Sequence, residues 1–201
     1  YGISLRKQLG HAFGLEGNIF RGQISGTNKD GGPGALAGLS SFETELAYAT
    51  DLRGVVNVAT VDFLRRENSV NFLLKAGYGM AGYDYSYVNA ANATIEGGPY
   101  GKDNPQTHDN IHEQFFPLGA GIKFKLSDRV NFDLGYNMYF LDGDNLDGTY
   151  AKVTSKDKWS YGYGGIEFSL GSSSKPNLDW VNPVAMMYDE LKDPTLRQEV
   201  E

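Results

Sequence analysis

The chain contains no cysteine in 201 residues, which excludes a disulfide framework and thiolate chemistry. It is short of positive charge, with 18 Lys and Arg against 25 Asp and Glu and a net charge of −7. Nucleic acid needs a basic face, so no nucleic-acid partner is expected. No apolar run approaches the roughly eighteen residues of a membrane helix. The first residues read as strand and not as a leader, so the numbering is expected to start inside a longer precursor. What the chain does hold is 26 glycines, 13 tyrosines and 11 phenylalanines. Glycine relieves crowding inside a narrow barrel, and aromatics form girdles at membrane interfaces. The missing helix does not exclude a membrane barrel, because alternation halves the average hydropathy of each strand.

Residues 115–141 organise the rest. Phe116, Leu118, Ala120, Ile122, Phe124 and Leu126 share one face of the first run, and Val130, Phe132, Leu134, Tyr136, Met138 and Phe140 share one face of the second. Period-two alternation of this length predicts two strands. A turn centred on Asp128 sets Phe124 opposite Phe132, Ile122 opposite Leu134 and Lys123 opposite Asp133. A slip of one residue would mix the faces, so the register is specified. Each strand offers about eleven residues, the length a tilted strand needs to cross a bilayer. The second face carries glycines, amides and charges, which suit a wet lumen better than an oily core. Phe116, Leu118, Ile122, Phe124, Phe132, Leu134, Tyr136 and Met138 are therefore expected to face lipid.

The remaining segments repeat the pattern. Residues 1–9 and 13–24 form a hairpin about His11, pairing Ile3 with Ile19 and Arg6 with Glu16. Strand character returns between residues 42 and 64, with Val56 and Val58 outward, and again over residues 70–88, where Lys75 has no partner on the preceding strand. Tyr83, Tyr85 and Tyr87 suggest an interfacial belt. The last strand, 158–170, places Ile166, Phe168 and Leu170 on one parity and Trp159, Tyr161 and Tyr163 on the other, which predicts a bulge near Gly164 and Gly165. Connections alternate: short near residues 11, 67 and 128, long near 33, 100 and 150, as in outer-membrane barrels. Seven strands are counted where a closed single-chain barrel of the bacterial kind needs an even number, so an eighth is expected before Tyr1. The fold class read here is all-β: an eight-stranded antiparallel transmembrane β-barrel over residues 1–171. Residues 172–201 follow as a periplasmic linker with short helices, Asn182 and Asp193 standing as N-caps before Pro183 and Pro194.

Few residues suggest chemistry. Arg6 with Glu16 and Lys123 with Asp133 read as lumen ion pairs that hold the barrel closed; a partner-swapping gate for small ions is the functional alternative. Asp142, Asp144 and Asp147 cluster hard oxygen ligands as a weak calcium site would, without the glutamate of an EF-hand, and an acidic external loop is the simpler reading. His108, Asp109, His112 and Glu113 sit on a Gly- and Asn-rich segment that reads as solvated loop and not as a metal site. Ser86 and Asp84 form no triad spacing with these histidines, so no enzyme and no cofactor are expected.

Three stretches resemble the OmpA-like outer-membrane proteins of the Bacteroidetes type. The final strand resembles a barrel-assembly signal, with Tyr163, Gly165, Phe168 and Leu170 in the matching places. LRGVVNVATVDFL is similar to the family's fourth strand, and PNLDWVNPVAMMYDELKDPTLRQEVE to its linker. The resemblance implies an outer-membrane barrel whose downstream periplasmic domain binds peptidoglycan, tethering membrane to cell wall. That domain is not within these residues. It also implies, as an alternative, an accessory or docking subunit of a larger outer-membrane complex such as the barrel-assembly machinery. A small-solute or ion channel is a further alternative. The expected surroundings are outer-membrane lipid, peptidoglycan reached through the downstream domain, and other outer-membrane proteins.

Overall fold

A computed structural model describes residues 1–27, 39–60, 69–89, 94–96, 110–143, 146, 156–171, 177–181 and 187. The described residues form eight strands: β1 (Gly2–Gln8), β2 (Phe13–Thr27), β3 (Leu39–Thr60), β4 (Val70–Asn89), β5 (Thr94–Glu96), β6 (Ile111–Lys125), β7 (Val130–Leu141) and β8 (Lys158–Phe168). They form one antiparallel sheet in the order β1-β2-β3-β4-β6-β7-β8. The short β5, in a region expected to be loop, pairs only with β4. It raises the number to eight without joining the ends, and among the described residues β1 and β8 remain open edges.

Register follows the alternation. Ile3 lies opposite Ile19 and Arg6 opposite Glu16. In the central hairpin Phe124 faces Phe132, Ile122 faces Leu134 and Lys123 faces Asp133. The sheet curls until side chains of β1 and β7, its first and sixth main strands, touch: Arg6 Nη2 reaches Asp133 Oδ2 at 3.2 Å across 127 residues of chain. Curling divides the side chains into an inner and an outer set. On the outer face Ile3, Leu5, Ile19, Leu52, Val56, Leu74, Met80, Phe116, Leu118, Leu134, Tyr136, Met138, Ile166 and Phe168 are exposed. Ile122, Phe124 and Phe132 point the same way and are half-buried by their neighbours.

Two glycines on the inner face show how it accommodates bulk. A Cβ on Gly79 would stand 2.6 Å from the Phe115 ring, and one on Gly135 would stand 2.6 Å from the Tyr163 hydroxyl. Pro117, fully buried, has no N–H to give, and the β4–β6 ladder lapses between Ala76 and Gly79.

Three expectations are corrected. β7 pairs with β8 in unbroken register from Val130–Phe168 to Phe140–Lys158, so no bulge occurs at Gly164 and Gly165. None is needed, because Trp159, Tyr161 and Tyr163 belong inside. Tyr83 and Tyr85 are not a surface belt either: they are 0% and 5% exposed, packed with Leu46, Phe115, Tyr139 and Leu141 at the end of the long connections. The interior is thus polar over only part of its length, and the rest is an apolar core. Of the tail, residues 177–181 form a turn inside the sheet and not a helix, while Asn182, Pro183, Asp193 and Pro194 lie outside the described residues.

Candidate functional site

Among the described residues the polar lumen is where many charged groups converge, and alternation puts them there. Every second residue of β2, β3, β4, β6 and β7 turns inward, and those positions carry Glu16, Asn18, Asp51, Arg53, Asn71, Lys75, Lys123, Asn131, Asp133 and Asn137, all buried. A buried charge is tolerated only when paired and hydrogen-bonded. Three connected groups meet that demand.

The middle group joins both ends of the sheet. Arg6 Nη2 and Nε donate to Glu16 Oε2 at 2.6 and 2.9 Å. Lys75 Nζ lies 3.3 Å from the same Glu16 oxygen and 3.2 Å from Asp133 Oδ2, and donates to the Tyr163 hydroxyl at 2.8 Å. That hydroxyl donates in turn to Asp133 Oδ1 at 3.1 Å. Two cations therefore share two carboxylates, and the phenol fixes their spacing.

The second group is built on β3. Arg53 and Asp51, two residues apart on one face, form a bidentate pair at 2.7 and 2.6 Å. Asn18 Nδ2 donates to Asp51 Oδ1 at 2.7 Å. Arg53 Nη1 donates to Asn137 Oδ1 at 2.9 Å, and Nη2, which also holds Asp51, donates to the Tyr139 hydroxyl at 2.6 Å. Above it Tyr139 stacks on Trp159, with ring centroids 3.8 Å apart and planes 4° from parallel. Phe20 and Tyr161 close around the stack.

The third group lies at the short-turn end. Lys123 is opposite Asp133 in register, yet its amine goes elsewhere: to Glu167 at 3.0 Å and Asp179 at 2.8 Å. The expected Lys123–Asp133 pair is thus replaced, because Arg6 and Lys75 already hold Asp133. Asn131 Nδ2 donates to Glu167 Oε1 at 3.0 Å.

Sequence reasoning named Arg6, Glu16, Lys123 and Asp133 but missed Lys75, Asp51, Arg53, Tyr163 as a hydrogen-bonding residue, Glu167, Asp179 and Trp180. Gly165 faces inward, while Phe168 and Leu170 are 67% and 84% exposed. Asp142 pairs with Lys156, and Asp144 and Asp147 lie outside the described residues. His112 Nδ1 is 2.9 Å from the Tyr48 hydroxyl, and His108 and Asp109 lie outside the described residues. Among the described residues no group of three metal-ligating side chains forms.

Fold and site together define an all-β protein made of one curled antiparallel sheet, with ion pairs inside and apolar side chains outside. No family model, curated protein or solved structure matches the chain.

Proposed function

We propose that this chain is the membrane-spanning part of an OmpA-like outer-membrane anchor, which ties the membrane to peptidoglycan through a periplasmic domain downstream. The observation that carries the reading is the inverted sorting of side chains. Large apolar groups are exposed on every main strand, while Lys123 is 0% exposed and Lys75 5%. Soluble monomers rarely expose contiguous apolar patches beyond a few hundred Å², whereas a bilayer requires such a belt. In this reading an eighth strand, preceding Tyr1, runs antiparallel between β1 and β8 and closes the barrel. An unpaired edge in lipid would leave backbone groups without partners.

Flotation tests the membrane assignment: the protein is expected to rise with lipid vesicles and to resist carbonate extraction. Sedimentation with purified sacculi tests the tether. The full-length protein is expected to co-sediment and a form ending at Glu201 is not; binding by the shorter form overturns the tether.

A second reading is a docking subunit of a larger outer-membrane complex. It is favoured by β3 and β4, which run for 22 and 20 residues where about ten suffice to cross a bilayer. The surplus, widened by β5, would make a sheet standing clear of the membrane. Gentle detergent extraction followed by affinity capture separates the readings: a stoichiometric partner set favours docking, a lone monomer the tether. Against a channel stand Lys123, Tyr139 and Trp180, each at most 1% exposed inside the sheet, although a cavity of about 2180 Å³ is lined by Arg6, Glu16, Lys75 and Tyr163. Planar bilayers are expected to stay silent.

A further inference from the structure

Residues 177–181 turn back into the sheet. The backbone N–H groups of Trp180 and Val181 both donate to the Asn177 carbonyl, at 3.0 and 3.3 Å, and the Asp179 N–H donates to Asn177 Oδ1 at 3.1 Å. This turn carries two side chains into the lumen at its short-turn end. Asp179 Oδ2 accepts from Lys123 Nζ at 2.8 Å, and the Asp179 carbonyl accepts from Asn71 Nδ2 at 2.6 Å. Trp180 is 1% exposed, and its Nε1 donates to Asn131 Oδ1 at 3.2 Å. Asn177 Nδ2 donates to Ser169 Oγ at 3.1 Å.

The receiving groups come from separate strands: Asn71 from β4, Lys123 from β6 and Asn131 from β7. Each has a hydrogen-bonding capacity that this segment fills. Without it Lys123, fully buried, would keep Glu167 alone, and the Asn131 oxygen and the Asn71 amide would each lose the partner described. Leaving buried polar groups unmade is what folded proteins avoid. The indole adds a large apolar body with one N–H, which suits a narrow space with an acceptor at its far wall.

We propose that the short-turn end of the lumen is a binding site for an acidic–aromatic peptide pair, filled in cis by Asp179 and Trp180. The tail is latched at the centre of the sheet's mouth by this pair, one ionic hook and one buried anchor, and does not hang from the rim below β8. The latch goes beyond the proposed function and stands whether or not the sheet lies in lipid.

The chain has two tryptophans, so a Trp159→Phe background isolates the Trp180 emission. In the full chain in detergent micelles that emission is expected to be blue-shifted and shielded from acrylamide. Asp179→Lys sets an ammonium against Lys123 and is expected to shift the emission red and raise the quenching constant several-fold. Heat-dependent gel mobility should show the sheet as folded as in the Trp159→Phe background, since Asp179→Lys changes no further strand residue. Lys123→Asp combined with Asp179→Lys keeps the local charge the same, with one cation facing two carboxylates, and is expected to restore shielding. A parent chain whose indole quenches like a free one overturns the proposal, as does an Asp179→Lys chain that stays shielded. A double variant that recovers nothing removes the ion pair and overturns the latch as stated.

Discussion

Arg53 and Lys75 occupy similar positions but carry different burdens. Asp51 depends on Arg53 for two of its three bonds, Asn18 supplying the third. Arg53→Met would strand a buried carboxylate, and loss of about 3–5 kcal/mol of stability is expected, the usual cost of breaking a buried pair from one side. Lys75→Met is expected to cost less, because Arg6 still holds both Glu16 and Asp133. Urea titrations in micelles, read by gel mobility, would rank the two; a larger loss at Lys75 would contradict the sharing of carboxylates described above. Arg6 and Glu16 were legible as a pair because they are cross-strand neighbours, and alternation fixes neighbours. Lys75 was not, because its partners stand across the lumen on β2 and β7. Nothing in a linear pattern reports which strands a curled sheet brings face to face.

At the level of the element, parity carried more than the aromatic character of a segment. The even positions of β4, from Phe72 to Met80, are outward, so Tyr83 and Tyr85 were inward by the same count. Three tyrosines in a row suggested an interface, and the simpler rule of alternation was the better guide. β8 teaches the same lesson: Trp159, Tyr161 and Tyr163 needed places inside the sheet, not a bulge. The outer parity of β7 supplies a test. Leu134 is 48% exposed, and Leu134→Arg on a watery surface should change stability by no more than about 0.5 kcal/mol. In lipid the same change is expected to cost about 2–4 kcal/mol near the midplane. Unfolding from phospholipid vesicles measures the difference, and a negligible change would argue against the lipid belt.

For the whole molecule, the open seam is the decisive feature. Arg6 Nη1 lies 3.7 Å from Glu167 Oε2, so side chains on β1 and β8 approach each other although their backbones do not pair. If a further strand fills the seam, outward-edge amides of β1 and β8 in the longer precursor should exchange hydrogen slowly, like those of β3. In a chain starting at Tyr1 the same amides should exchange fast; mass-spectrometric hydrogen exchange reads both. Equal exchange in the two forms would leave closure to something other than a preceding strand. The seven main strands were legible in the alternation of strands with short and long connections. The tail's return into the lumen was not, since it depends on a space that exists only after the sheet has curled.

Arg6 and Asp133 are separated by 127 positions, and they can touch only when the first and last hairpins have rounded on one another. Until then Glu16 has Arg6 beside it, but Asp133 waits for both its cations. The molecule therefore carries an internal signature of completion: a stalled, flat intermediate would expose carboxylates that the finished one conceals.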